Sequence, residues 1–156
     1  GDCPVVDWEI IDNVIRFCLE NNLDYAVTDE NFPDGLDVEV MTMDALEETK
    51  QNAVLPSEIE HVSQYIYTRG NRFKNGEFES NRKLSHLRWT VDESEDFVLI
   101  EKIYQALYEK NPLFLTNEIL DLLKLQPELT KINDSFIRNE GLKKSIQKDK
   151  EFMKNV

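Results

Sequence analysis

The sequence is poor in cysteine, histidine and basic residues, and each shortage excludes a class of protein. Its 156 residues include two cysteines and two histidines, too few for a disulfide framework or a cysteine-rich zinc site. No run of about 18 apolar residues occurs, so no segment is expected to span a membrane. With 31 acids against 18 bases and a net charge of −13, the chain lacks the basic face that sequence-independent binding to nucleic acid or an anionic membrane needs. The low cysteine content favours a reducing, cytoplasmic setting.

Charge is distributed unevenly along a chain whose 40% hydrophobic and 10% aromatic content suits a folded domain. Residues 1–68 hold 16 acids and only two bases, Arg16 and Lys50, whereas residues 138–156 hold six bases and three acids. The basic tail is either a solvated helix on an acidic body or a peptide that contacts a partner. The length suits one domain with a sizeable core.

Hydrophobic periodicity predicts strands alternating with helices, which is typical of an α/β layer protein. Strict alternation predicts a strand at Leu36–Val40, with Asp37 and Glu39 on one face, and another at Leu84–Val91. A capping box at Ser57–Glu60 predicts a helix that runs to Arg69. Further helices are predicted at 8–21, 44–52 and 94–109 and from residues 116 and 140, with a strand at 23–28 and an extended segment at 72–78.

Two carboxylates are expected beyond the carboxyl ends of strands, where open α/β sheets bind their ligands. Asp2 lies in a tight Asp-Cys-Pro turn before the first helix, and Asp92 ends the predicted strand Leu84–Val91. Two such carboxylates hold Mg²⁺ together with water and phosphate oxygens. Spacing alone favours the plainer alternative, in which each is an acid that stabilises the N-terminus of the helix that follows.

Four short motifs occur in an order that is similar to one known family. They are Gly1-Asp2-Cys3-Pro4, Gly35-Leu36-Asp37-Val38-Glu39-Val40, Glu60-His61-Val62 and Arg88-Trp89-Thr90-Val91-Asp92, the last followed by Asp96. As an ordered set they resemble the cytidylyltransferases of the spore-coat polysaccharide biosynthesis type, relatives of the CMP-Kdo and CMP-sialic acid synthetases. The resemblance runs from Gly1 to about Asn133.

The resemblance implies a three-layer, Rossmann-like α/β fold, that of the nucleotide-diphospho-sugar transferases. In the family a nucleotide-binding half with a glycine-rich, basic phosphate loop comes first, so we expect that half to precede Gly1. Residues 1–133 would then be the C-terminal portion of a cytidylyltransferase domain, and residues 134–156 a helical, basic tail.

The resemblance also implies a Mg²⁺-dependent reaction in which a sugar hydroxyl attacks the α-phosphate of CTP. Pyrophosphate leaves and a CMP-sugar forms, for use in surface or spore-coat polysaccharide. Asp2 and Asp92 fall on matching motif positions, so the resemblance implies that they are the catalytic metal ligands. The expected substrates are therefore CTP and a sugar, and the expected cofactor is Mg²⁺.

Four further residues are candidates for substrate binding, each with a plainer alternative. Asp37 and Glu39 either bind sugar hydroxyls or are solvent-facing acids on an edge strand. Kdo synthetases have a His-x-Gly-x-Tyr pattern near this strand; the acids found here suit a neutral or amino-bearing sugar better than a carboxylated one. His61 either orients a substrate group or is structural. Arg88 either meets phosphate or pairs with a neighbouring acid.

Two other functions stay open at the level of sequence. One is a non-catalytic, acidic interaction domain on the same scaffold, and the other is a glycosyltransferase that uses a nucleotide-sugar donor. Related synthetases are often dimers, and we expect a homodimer contact within residues 25–40.

Overall fold

Short strands alternate with helices in the first half of the chain, and the second half is helical. The computed structural model describes residues 2–69, 71–136, 138 and 140–154. The helices within these residues are α1 (Trp8–Glu20), α2 (Met43–Asn52), α3 (Pro56–Glu60), α4 (Gln64–Thr68), α5 (Ser94–Leu107), α6 (Thr116–Leu125) and α7 (Glu140–Phe152), with a 3-10 helix at Pro127–Lys131. The strands are β1 (Tyr25–Thr28), β2 (Glu39–Met41) and β3 (Asn75–Phe78).

The three strands form one small mixed sheet in the order β2-β1-β3. β1 pairs antiparallel with β2, with Tyr25 opposite Met41, and parallel with β3, with Tyr25 opposite Asn75. Parallel pairing requires a long crossover, and α2, α3 and α4 lie in the segment that joins β2 to β3. The sheet and the seven helices confirm the predicted α/β class, while the three-layer arrangement stays a prediction.

The chain divides into two units, and the first consists of residues 1–11, 29–37 and 79–136. Helices α5 and α6 pack against each other here, because α5 buries Leu99, Ile100 and Ile103 at helical spacing. Trp89 is 1% exposed and lies in the same core. The remaining buried members of this core are Val5, Leu36, Leu87, Ile119, Leu122, Leu123 and Leu129.

The second unit consists of residues 12–28, 38–78 and 137–156. It contains the sheet, α2, α3, α4 and the tail helix α7. Its buried apolar core is smaller and is built from Tyr25, Ala45, Tyr65, Ile66 and Phe73. Helix α7 packs on α3 within this unit, so the tail predicted as a helix lying on an acidic body has a specific docking position.

The predicted strand at Leu84–Val91 is wrong. The segment begins with a turn in which the Leu87 amide donates to the Leu84 carbonyl at 2.9 Å. It then runs extended beside the 31–36 segment, with one isolated bridge between Asp34 and Arg88. Leu87 and Trp89 are buried as the alternation predicts, because an extended chain alternates its side chains whether or not a strand pairs with it.

Two other predicted elements are shifted or divided. Strand β2 begins at Glu39 rather than Leu36, so Asp37 lies outside the strand. The predicted helix from Ser57 to Arg69 is divided into α3 and α4. The Ser57–Glu60 capping box is also wrong: α3 begins at Pro56, and it is Glu58 that accepts from the amides of Val54 and Leu55.

Within the described residues, none of the helices has both the length and the apolar content to cross a membrane.

Candidate functional site

The first unit holds the backbone of Asp2 against the segment that leads into Asp92. The Asp2 carbonyl accepts from the Val91 amide at 2.7 Å and from the Thr90 hydroxyl at 3.1 Å. Two residues further on, the Pro4 carbonyl accepts from the Tyr104 hydroxyl at 2.8 Å. The backbones of the two predicted metal ligands, Asp2 and Asp92, therefore lie close together, although 90 residues separate them in the sequence.

Gly35 brings a second loop against the same segment. Its φ of +94° lies in the left-handed region that favours glycine. A Cβ atom at this position would lie 2.5 Å from the Thr90 nitrogen and 2.7 Å from the Trp89 carbonyl carbon. The approach is fixed by paired backbone hydrogen bonds, from Trp89 to the Asp34 carbonyl at 2.7 Å and from Asp34 to the Leu87 carbonyl at 3.0 Å. Glycine is thus required at position 35 for Asp34 to lie beside residues 87–89.

Electrostatics at Cys3 link Asp2 and Asp37. The pKa of the Cys3 thiol is raised from 9.0 to about 11, mainly by burial, then by the charge of Asp2 and its hydrogen bond, with a smaller contribution from the charge of Asp37; a hydrogen bond with Thr90 acts in the opposite direction. The Cys3 sulfur lies 3.5 Å from Asp2 Oδ1. Two of the predicted site residues therefore surround one thiol, which stays protonated near neutral pH and is not poised as a nucleophile.

Arg88 is held by three carboxylates. Its Nη1 donates to Asp34 Oδ2 at 2.7 Å, and its Nη2 donates to Asp92 Oδ2 at 2.7 Å. Its Nε and Nη2 form a two-pronged pair with the buried carboxylate of Asp96, each at 2.9 Å. Hydrogen bonding to Asp96 is the main reason why the pKa of Arg88 is raised above its ordinary value. The ion-pair alternative is therefore present in the structure, and a contact with substrate phosphate stays a prediction.

The oxygens of Asp2 and Asp92 fit the donor chemistry of Mg²⁺. Asp2 is exposed, and the Asp92 side chain is 51% exposed with Arg88 on its Oδ2 atom. Across the described part of the chain, no group of three or more His, Cys, Asp or Glu side chains forms a cage for a metal ion. Mg²⁺ does not need one, since proteins often hold it through one or two carboxylates while water and substrate phosphates complete the octahedron.

Glu39 and His61 belong to the second unit. Glu39 Oε1 accepts from the Tyr25 hydroxyl at 2.6 Å and from the Ser63 hydroxyl at 2.8 Å. Burial, followed by the hydrogen bond to Glu39, raises the pKa of Tyr25 above its ordinary value. Glu39 thus has a fixed orientation from two donors, and its predicted sugar contact stays a prediction.

His61 contacts the tail helix. Its Nε2 atom lies 3.2 Å from the hydroxyl of Ser145 on α7, and that hydroxyl donates to Glu60 Oε2 at 2.6 Å. Hydrogen bonding from Ser145, then the charge of Lys148, lowers the pKa of Glu60. The structure therefore gives His61 a structural partner, and its predicted role toward substrate stays a prediction.

Sequence reasoning missed the residues that organise Arg88 and the tail. Asp34, Asn133 and Asp149 carry no local signal, because their partners lie 37 to 92 residues away. Asp96 had a signal, since an acid three residues after Glu93 in a first helical turn is a typical capping position. In the structure its Oδ2 accepts from the Glu93 amide at 3.0 Å.

Comparison with known proteins gives a similar sequence and a similar structure. No family model matches the chain. It is 36% identical over 139 residues to an uncharacterized protein of Methanocaldococcus jannaschii, an alignment that covers 86% of this chain and 55% of that protein. The chain thus spans about half the length of the curated relative it matches.

The similar structure is a cytidylyltransferase from Leptospira borgpetersenii serovar Hardjo-bovis. The two superpose with a TM-score of 0.79 at 25% sequence identity, over 88% of this chain and 58% of that one. The chain therefore has the fold of a cytidylyltransferase over most of its length, in agreement with the class that the ordered motifs resemble.

Proposed function

We propose that this chain is part of a nucleotidyltransferase that transfers CMP from CTP to a sugar, with release of pyrophosphate. The observation that carries the proposal is the structural similarity to a cytidylyltransferase over 88% of the chain. The ordered motifs give the same class from sequence. On those motifs alone, we extend the proposal to an enzyme that supplies surface or spore-coat polysaccharide. On the low cysteine content, we extend it to a cytoplasmic setting.

Asp2 and Asp92 are the residues that we assign to Mg²⁺. Both carboxylates reach the solvent, and the Asp2 backbone is bonded to Val91, the residue before Asp92. When bound, the metal ion would polarise the α-phosphate and neutralise charge on the leaving pyrophosphate. The contribution of the protein is to hold the two carboxylates in place before substrate binds. Charge stabilisation by groups fixed in advance is usually the largest contribution to catalysis of transfer to phosphorus.

The sugar side is assigned to acids rather than to bases. Asp37 is exposed, and its Oδ2 accepts from the Gly35 amide at 3.1 Å, which orients the carboxylate. Glu39 and His61 are the candidates in the second unit. Carboxylates accept hydrogen bonds from sugar hydroxyls and pair with amines but repel another carboxylate. We therefore propose a neutral or amino-bearing sugar as acceptor.

The test is pyrophosphate release by the protein expressed from its complete gene, with CTP, Mg²⁺ and a panel of neutral, amino and acidic sugars. Asp2→Asn and Asp92→Asn are each expected to lower the rate by a factor of about 100 or more, as loss of a group that stabilises transition-state charge does. Asp121→Asn is the matched control, since Asp121 forms an exposed pair with Lys124 in α6.

Full activity in both variants would contradict the assignment of the metal. Absence of pyrophosphate release with every sugar, together with absence of CTP binding, would contradict the nucleotidyltransferase itself. A stable complex with another protein would then favour the interaction-domain alternative.

A further inference from the structure

Arg88 lies at the centre of a closed set of charges in the first unit. Its side chain is 13% exposed, and its three carboxylate partners are 15% (Asp34), 51% (Asp92) and 0% (Asp96) exposed. A single guanidinium thus connects one buried acid to one acid that is half open to solvent. The fork geometry of arginine allows this, whereas the point charge of lysine does not.

The Asp96 carboxylate forms hydrogen bonds both with the Arg88 guanidinium and with the backbone of Asp92. Its Oδ1 receives Arg88 Nε and also the amide of Asn133 at 2.7 Å. Its Oδ2 receives Arg88 Nη2 and the backbone amides of Asp92 and Glu93, at 3.1 and 3.0 Å. The same acid therefore holds the backbone of Asp92 directly and its side chain through Arg88.

Two further contacts restrict the motion of Arg88. The amide of Asn133 donates to the Arg88 carbonyl at 2.9 Å, which fixes the backbone. The guanidinium carbon lies 5.8 Å from the centre of the Phe136 ring, within cation–π range. An arginine with this many partners has little rotamer freedom left, so a group that it holds is held rigidly.

We propose that Arg88 is a positioning residue that fixes the Asp92 carboxylate for binding a divalent cation. The inference rests on the proposed function, because it takes Asp92 as a metal ligand. Arg88 engages Oδ2 of Asp92, so Oδ1 is the oxygen that would be left for a cation, which would favour one-oxygen ligation. That mode suits the strict octahedral demand of Mg²⁺ better than the larger, more variable shell of Ca²⁺.

Charge repulsion and positioning predict opposite changes in cation affinity when Arg88 is replaced, which makes the proposal testable. A guanidinium beside a cation site repels the cation, so by charge alone its removal tightens binding. By positioning, its removal frees the Asp92 side chain and weakens binding. Residues that orient metal ligands typically change metal affinity by about 10- to 100-fold when they are replaced.

The experiment measures Mn²⁺ binding by electron paramagnetic resonance, with Mn²⁺ as a probe that shares the oxygen preference of Mg²⁺. Arg88→Gln removes the charge, and Arg88→Lys keeps the charge but loses the fork. Both are expected to weaken Mn²⁺ binding by about 10-fold or more. In an Asp92→Asn background, the same replacements are expected to cause no further loss, because Arg88 acts through Asp92.

Thermal unfolding identifies any variant that does not fold. If Arg88→Gln does not fold, Arg88→Lys provides the test of Mn²⁺ binding. Arg69→Lys is the control, since the Arg69–Glu58 pair at 2.8 Å belongs to the second unit. Unchanged or tighter Mn²⁺ binding in a folded Arg88 variant overturns the proposal. In the active protein, the rate at saturating Mg²⁺ should recover while the Mg²⁺ concentration for half-maximal rate rises.

The outcome is separable from that of the proposed function. Mn²⁺ binding that depends on Asp92 and Arg88 supports positioning even if CTP is not a substrate. CTP turnover with Mn²⁺ affinity that is indifferent to Arg88 supports the proposed function and overturns positioning.

Discussion

The Arg88 guanidinium and the Asp96 carboxylate meet through two parallel hydrogen bonds, Nε to Oδ1 and Nη2 to Oδ2, each at 2.9 Å. The pair lies in the core of the first unit, where Asp96 is fully buried. Such a two-pronged ion pair fixes direction as well as distance. It therefore joins the stability of this unit to the orientation of the Asp92 carboxylate.

Replacement of Asp96 by Asn should destabilise the protein by about 3 kcal/mol, since it leaves a mostly buried guanidinium with weaker partners. Urea unfolding monitored by the fluorescence of buried Trp89 measures the loss. Asp121→Asn, at an exposed pair with Lys124, should change the free energy of unfolding by less than about 0.5 kcal/mol. Equal stability of the two variants would refute the role given to Asp96.

Lowering the pH should remove the stability that the ionised Asp96 carboxylate contributes. Burial raises the pKa of Asp96, but hydrogen bonds from Arg88, then Asn133 and the amides of Asp92 and Glu93, outweigh it and lower the pKa from 3.8 to about 2. A depressed folded-state pKa gives stability that is present above pH 4 and is lost as the pH falls toward 2. The free energy of unfolding, measured from pH 5 to pH 2.5, should fall less in Asp96→Asn than in the unchanged protein; parallel curves would contradict this.

Gly35→Ala should be destabilising by at least about 1–3 kcal/mol, the usual cost of a strained backbone conformation. Its Cβ would also lie 2.5 Å from the Thr90 nitrogen, a contact that backbone atoms cannot relieve cheaply. Gly141→Ala is the matched control, because nothing lies within 4 Å of a Cβ at that position of α7. Thermal melts of the two variants test this, and a Gly35→Ala melt equal to that of the control would contradict it.

The tail helix should detach from α3 when Asp149 is removed. Asp149 is buried, and it accepts from the Ser57 amide at 2.9 Å and from the Ser57 hydroxyl at 2.6 Å. Asp149→Ala leaves both donors unsatisfied, at a cost of about 1–3 kcal/mol. Hydrogen exchange should show faster exchange of the α7 amides with α5 unaffected. Unchanged protection of α7 would show that other contacts hold the tail.

Cys3 should react slowly with iodoacetamide. A rise in pKa from 9.0 to about 11 lowers the thiolate fraction at pH 8 by about 100-fold, and the thiolate is the nucleophile. Asp2→Asn should accelerate alkylation by removing one of the charges that raise the pKa, and Asp121→Asn should not. Mass spectrometry of the modified peptide gives both rates, and an unaltered rate in Asp2→Asn would contradict the proximity of Asp2 to the thiol.

Local pattern was sufficient where an element depends on its own residues. Hydrophobic periodicity predicts helix α5, and the acid just before α1, Asp7, caps that helix: its Oδ1 accepts from the Glu9 amide at 2.9 Å. The sequence carried no sign that the other oxygen of Asp7 receives the amide and hydroxyl of Thr116 at the start of α6. Local rules describe one end of such a contact and not its distant partner.

The same limit explains the candidate site. Asp2 and Asp92 are predicted as acids at element ends and Asp37 as an acid on a strand face, and the structure places all three in the first unit. The network that orients Asp92 was not predictable, because Arg88 pairs with an acid 54 residues away and with an amide 45 residues away. Alternation at 84–91 predicted the burial of Leu87 and Trp89, but Thr90 on the opposite face is buried as well. It did not predict the backbone pairing, since a hydrophobic pattern says nothing of hydrogen-bond partners.

The most direct test of the central claim follows the phosphates of CTP in the protein expressed from its complete gene. CTP labelled at the α-phosphorus, or separately at the γ-phosphorus, is incubated with Mg²⁺ and a neutral or amino sugar. The account predicts the α label in a CMP-sugar and the γ label in pyrophosphate. It predicts that neither labelled product forms in Asp92→Asn. Retention of both labels in CTP with every sugar, or transfer of the γ label to the sugar, would contradict it.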